Sequence, residues 1–313
     1  MPLNATSARV ADPVLTNHVR GYKHPGRVGH LLFPHVEVTE TAGKVIEFGK
    51  EDFMLYNARR AAGAATKRIE FGYEGKPYSL VQDSLESKIP REYARAALQV
   101  SEIDLAMRAT TKVMNALTLT LEDDQAKLAT NPDNYGENNK EELSGADKWT
   151  SPTSKPTVAI DEARRLIRNS CGLYPNTLIC GPVAFSALKN NEHITSRFRN
   201  VDLVTADLLA KLLELDQVVE GQAMTADQNG VFSDVWGNYA VLAYAPRNPS
   251  GVEEPSFGYT YTMKANPFVE EPYYDNNTKS NIYGVTYERA PVLAGMSAGY
   301  LFIDPAAVDD GDA

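Results

Sequence analysis

Between Pro90 and Pro132 the chain contains no proline or glycine, and its apolar and small positions fall on one stripe. Ile89, Tyr93, Ala96, Val100, Ile103, Met107, Thr110, Met114, Leu117 and Leu121 follow one another at three- and four-residue steps, the spacing that keeps one helix face against one surface. Glu92, Arg95, Glu102, Asp104, Arg108 and Lys112 lie between them and make a solvated back. Pro90 suits a first helical turn, and Pro132 biases Asn131 out of helix. The pattern predicts one continuous helix over Arg91 to Asn131, a rod of roughly 60 Å at about 1.5 Å per residue. The run holding the β-branched Thr118 and Thr120 is its weakest part.

Upstream, Val36 to Lys88 reads as a long β-hairpin. Its flanks alternate polar and apolar residues and share an echo, Ile46-Glu47-Phe48-Gly49 and Ile69-Glu70-Phe71-Gly72. The tip between them is small and basic, with Arg59, Arg60, Lys67 and Arg68 around an alanine-rich centre. A two-stranded hairpin is marginal alone and needs a surface to lie on. Met1 to His35 is an arm rich in proline and glycine, locally basic, and expected to be disordered or laid along a neighbour.

Downstream of the helix, Pro132 to Pro156 reads as a polar junction loop. Helices and short strands then alternate: a helix from Ile160 stopped by Gly172, a buried strand Asn176 to Cys180, helices from Pro182 and Ala206, and strands Gln217 to Glu220 and Tyr239 to Tyr244. From Gly258 the period switches to two, with antiparallel-type strands at Tyr259 to Lys264 and Tyr283 to Glu288 and a last strand at Gly299 to Ile303. Asp309 to Ala313 is an acidic tail. The fold class is α+β.

Composition narrows the chemistry. The 313 residues are 43% hydrophobic, enough for a sizeable core in one or two domains. A net charge of −10 argues against a general binder of nucleic acid or anionic membrane. No window approaches the ~18 consecutive apolar residues of a spanning helix. Cys171 and Cys180 form no CxxC pair and read as buried thiols.

Gly295-Met296-Ser297-Ala298-Gly299 fits the G-x-S-x-G pattern of a nucleophile elbow, yet a strand follows it and no histidine occurs after His193. A small-residue bend is the plainer reading. Ser186 and Lys189 match S-x-x-K without companion motifs. His18, His24, His30 and His35 are spread along the arm without ligand spacing, and no phosphate-binding glycine loop is present. No catalytic, cofactor or metal site assembles.

The order of parts, together with short motifs, resembles the major capsid proteins of tailed double-stranded DNA phages. The motifs are Asp12-Pro13-Val14-Leu15-Thr16-Asn17, Gly21-Tyr22, Leu31-Leu32-Phe33-Pro34, Phe48-Gly49-Lys50-Glu51 with Tyr56, and the Arg59-Arg60 to Lys67-Arg68 tip. Further along are Pro175-Asn176-Thr177-Leu178, Ala187-Leu188-Lys189-Asn190 and Pro255-Ser256-Phe257-Gly258-Tyr259. The resemblance implies the tailed-phage capsid fold, shared with cellular encapsulins. It divides the chain into an N-terminal arm (1–35), an extended loop or E-loop (36–88), a peripheral P-domain of spine helix and antiparallel sheet (89–150 and 250–305), an α/β axial A-domain (151–249) and a tail (306–313).

The resemblance also implies a function: self-assembly into pentameric and hexameric capsomers of an icosahedral head that encloses double-stranded DNA without reading its sequence. Assembly would take place in the host bacterial cytoplasm, with a scaffolding protein, a portal and decoration proteins as partners and no membrane or cofactor. Because the chain begins almost directly at the arm, a separate scaffolding protein, or removal of a scaffolding segment, is expected. Arg59, Arg60, Lys67 and Arg68 are expected to contact an adjacent copy. Tyr93, Val100, Ile103, Met107, Met114 and Leu117 are expected to form the core stripe of the spine. Two other readings remain, an encapsulin-like nanocompartment shell and, more distantly, a serine hydrolase using Ser297.

Overall fold

The computed structural model describes residues 11–44, 59–60, 77–97, 104–198, 204–247, 249 and 255–307. The first helix described in the arm is α1 (Pro13–Arg20), capped by Asp12, whose carboxylate accepts the amides of Val14 and Leu15. Strands β1 (His35–Val38) and β2 (Ala42–Lys44) follow, then β3 (Pro77–Ser79), β4 (Val81–Pro90), and the helices α2 (Arg91–Ala97) and α3 (Leu105–Thr130).

Next come β5 (Lys140–Glu142), α4 (Pro156–Cys171), β6 (Thr177–Cys180), α5 (Pro182–Asn190), α6 (Glu192–Thr195), α7 (Ala206–Leu212), β7 (Gln217–Glu220), β8 (Met224–Ala226), β9 (Phe232–Asp234) and β10 (Tyr239–Ala243). The chain closes with β11 (Gly258–Met263), β12 (Phe268–Val269), β13 (Tyr273–Asp275), the long β14 (Ser280–Leu293) and β15 (Gly299–Ile303).

Two sheets organise these elements. In the first, β14 is the central strand: β4 pairs with it antiparallel on one side, β11, β12 and β13 on the other, and β1 runs parallel to β11. On one face of this sheet, Val113, Met114, Leu117 and Leu121 of α3 pack with Leu15 and Val19 of α1 on Val269, Val285 and Tyr287. On the other face, Tyr78 and Leu80 cluster with Tyr259 and Tyr261, and the Tyr78 and Tyr261 rings lie 4.5 Å apart. The second sheet has the order β5-β15-β10-β6-β7 and buries Leu178, Cys180, Ala240, Leu242 and Phe302 against α4, α5 and α7. Gly172 ends α4 in the left-handed region at φ 77°, which a residue with a Cβ adopts only at a cost.

Several expectations need correction. The spine is not one helix: α2 is described as far as Ala97, and α3 starts afresh at Asp104, whose backbone is extended (ψ 98°) and whose carboxylate accepts the amides of Ala106 and Met107. The helix instead holds through the run expected to be weak, where Leu117 and Leu121 are buried against the sheet and Thr118 and Thr120 turn their hydroxyls back to the carbonyls of Met114 and Ala116.

The described part of the arm is neither disordered nor waiting for a neighbour. Leu15, Val19, Val28, Leu32 and Phe33 are buried on the chain's own α3 and sheets. The flanks of the expected hairpin separate. Val36 and Val38 pair with β11, Val81 to Pro90 pair with β14, and the hairpin ladder described is β2 with β3. Lastly, Gly299–Ile303 joins the second sheet, antiparallel to β10, and the expected junction loop supplies that sheet's β5. Period-two patterning gave the strand but not its partner, because pairing is a non-local choice.

Candidate functional site

The centre of the molecule is a buried junction built on α3. Glu122 lies on the stripe side of that helix and is 2% exposed. Its carboxylate accepts the amides of Val28 (3.0 Å) and Gly29 (2.9 Å) from the arm and the indole N–H of Trp236 (2.7 Å) from the segment before β10. Charge-assisted bonds of this kind are among the stronger ones in a protein, and they offset the cost of burying the carboxylate.

One turn on, Gln125 donates to the Thr260 hydroxyl, which donates in turn to the carbonyl of Phe33. The arm fits here because residue 29 is glycine: a Cβ would lie 2.2 Å from the Gln125 side-chain oxygen. Arm, spine and both sheets are thus joined at one place, and sequence reasoning missed it. A lone glutamate on an amphipathic helix looks like any solvated charge.

A second buried ion sits at the Val81 end of β4. Arg289 on β14 is 2% exposed; it donates to Asp83 (3.1 Å) and to the carbonyl of Leu117 (2.8 Å), and its guanidinium lies 4.5 Å from the Tyr287 ring centre. Burial pushes its pKa down, while Tyr287, Asp83 and Asp124 oppose the shift.

The residues singled out from sequence fall into three groups. Met114 and Leu117 are buried, and half-buried Met107 packs against the same cluster. Tyr93 is 69% exposed on α2 and stands outside that stripe. Val100 and Ile103 lie outside the described residues, as do Lys67 and Arg68. Arg59 and Arg60 are exposed.

Ser297 is exposed on a single 3-10 turn, Met296–Ala298, between two strands, so the strand-turn-helix geometry of a nucleophile elbow is missing. Cys180 is buried and Cys171 half-buried, and burial pushes both thiols up, away from the reactive thiolate. Among the described residues no cluster of three or more His, Cys, Asp or Glu is placed to hold a metal, and no helix is long and apolar enough to cross a membrane.

Residues 66–255 match the family model of phage major capsid protein E. The major capsid protein of Burkholderia phage BcepMu is 35% identical over 299 residues, covering 94% of this chain and 96% of that protein. The chain belongs to this capsid family. A solved structure of a phage-related protein from Bordetella bronchiseptica RB50 shares 44% identity and superposes with a TM-score of 0.84, covering 96% of this chain and all of that one. The capsid of cyanophage P-SCSP1u shares only the fold, at 10% identity and a TM-score of 0.57 over 89% of this chain and 87% of its own. The capsid protein described here is therefore a structural component of the virion. It builds the shell by assembling with copies of itself and is not an enzyme.

Proposed function

We propose that this capsid protein forms an icosahedral head of pentameric and hexameric capsomers around double-stranded DNA, assembled in the cytoplasm of a bacterial host with scaffolding, portal and decoration proteins. In this reading the first sheet with α3 serves as the peripheral domain and the second sheet as the axial domain. The hairpin rooted at β2 and β3 carries Arg59, Arg60, Lys67 and Arg68 to an acidic surface of an adjacent copy. The supporting observation is the exposed Arg59-Arg60 pair in a chain whose 41 acids outnumber its 31 bases. The same excess of acid suits a container that encloses DNA without holding it.

Rim charges of this kind set register and association rate more than affinity. The double variant Arg59→Glu, Arg60→Glu should stay soluble and melt as the parent does, yet stall as monomers or capsomers when sedimented with its scaffold. Parent shells should also form less readily as ionic strength rises. Full-sized shells of the double variant at parental yield would overturn the tip contact.

A further inference from the structure

Strand β4 is a long sheet edge. Among the described residues it pairs only with β14, and no described strand lies along its outer side. The direction of its backbone groups follows from one bond. The amide of Glu270 donates to the carbonyl of Gly284, so even positions of β14 face β12 and odd positions face β4. With Val285 opposite Leu85, the odd positions of β4 face β14. Gln82, Ser84, Glu86 and Lys88, all exposed, therefore turn their N–H and C=O groups outward.

An unguarded edge of this length is a template for another strand, and proteins that stay monomeric blunt such edges. Here neither a proline nor a bulge interrupts it before Pro90. Apolar side chains are exposed along the same strand, Val81 at 60% and Leu85 at 45%, and Tyr93 at 69% lies just beyond its end.

We propose that β4 pairs antiparallel with β4 of a second copy across a two-fold axis centred on Ser87. The register is chosen by charge. Centred on Ser87, Glu86 of each copy lies opposite Lys88 of the other, so one strand supplies two cross-strand ion pairs by symmetry. Leu85 then lies opposite Ile89, and Val81 is carried toward the second copy's α2, where Tyr93 is exposed.

Centring on Glu86 would set that carboxylate against itself. Centring on Leu85 would leave Glu86 opposite Ser84 and Lys88 opposite Gln82, with no ion pair directly across. Among the described residues Lys88 has no ion pair and Glu86 accepts only the Tyr273 hydroxyl, at 3.3 Å. Both are available to a partner. The proposal rests on shell building by the family and is independent of the basic hairpin tip.

Cross-linking and charge exchange test it together. Ser87 would face its own copy at a non-hydrogen-bonded pair, where Cα atoms approach to about 4.5 Å, within disulfide range. Assembled shells of Ser87→Cys, oxidised and run on a non-reducing gel, should convert to a covalent dimer, while Ser84→Cys shells and parent shells should stay monomeric. Lys88→Glu should lower shell yield at least tenfold, and the exchange Glu86→Lys, Lys88→Glu should restore it, because both copies change together. Dimer from Ser84→Cys but not from Ser87→Cys, or no rescue by the exchange, would assign the edge to a different strand and overturn the two-fold pairing. Parental yield from Lys88→Glu, with no dimer from Ser87→Cys, would show that the edge stays unpaired and would overturn it too.

Discussion

Glu122 accepts the indole N–H of Trp236 at 2.7 Å across 114 residues of chain, and both side chains are almost wholly buried. Removing the carboxylate with Glu122→Ala leaves three buried donors, the amides of Val28 and Gly29 and the Trp236 indole, without their acceptor. Each such orphan costs about 1–3 kcal/mol, so the unassembled protein should lose ~3 kcal/mol or more in a urea titration. Glu122→Gln keeps the shape and one acceptor oxygen and should fall between the two. Equal midpoints for Ala and parent would mean that packing alone holds the junction.

Much of the fold is legible in the chain, and the reasons differ by element. The stripe from Met107 through Leu121 is visible because a helix against a sheet needs an apolar face at helical period. The break before it was also written, in Asp104 ahead of an apolar run, but a three-four spacing that continues from Tyr93 to Met107 hides a cap of that kind. The arm looked unable to fold because its apolar residues, Leu15, Val19, Val28, Leu32 and Phe33, follow no single period. They are buried in two different clusters in turn, Leu15 and Val19 in one and Val28, Leu32 and Phe33 in the other. Glu122 carries no signal in sequence, since its three donors come from residues 28, 29 and 236.

Arg289 and Asp83 should respond unequally to mutation. Asp83 is 33% exposed and can be hydrated without its partner, whereas Arg289 at 2% cannot. Asp83→Ala strands a buried cation and should cost about 2–3 kcal/mol. Arg289→Met replaces the cation with an apolar chain of similar length against Tyr287. The carbonyl of Leu117 lies inside α3, where the helix ladder still serves it. Arg289→Met should therefore unfold within ~1 kcal/mol of the parent. A larger loss for Arg289→Met than for Asp83→Ala, measured by denaturant titration, would reverse this account.

Two positions of the expected stripe should separate cleanly. Leu117 is 2% exposed, and Leu117→Ala should cost ~2–5 kcal/mol through lost burial and the cavity it leaves. Tyr93 is 69% exposed, so Tyr93→Ala should change the unassembled protein by no more than ~0.5 kcal/mol. Thermal melts of both variants, kept below the concentration at which shells form, decide the matter. A matching loss at Tyr93 would place it in the core.

The arm's first helix is held at both ends of one short contact. Asp12 caps α1 through the amides of Val14 and Leu15, while its own amide donates to the carbonyl of Val269. Thr16, 6% exposed, accepts the amide of Val269 with its hydroxyl, so β12 receives from α1 the ladder partner it would otherwise lack. Asp12→Ala removes the cap at about 1 kcal/mol. Thr16→Val leaves the Val269 amide unpaired in an apolar setting at about 1–3 kcal/mol. Since α1 is short, these losses should appear first as local opening of the arm rather than as global unfolding. Hydrogen exchange at the α1 amides and at Val269 should speed up at least tenfold in the double variant. The amides from Val113 to Leu121 in α3 should keep most of their protection. Uniform loss of protection across both helices would mean that arm and spine open as one unit, and unchanged exchange in α1 would mean that its apolar contacts alone hold it down.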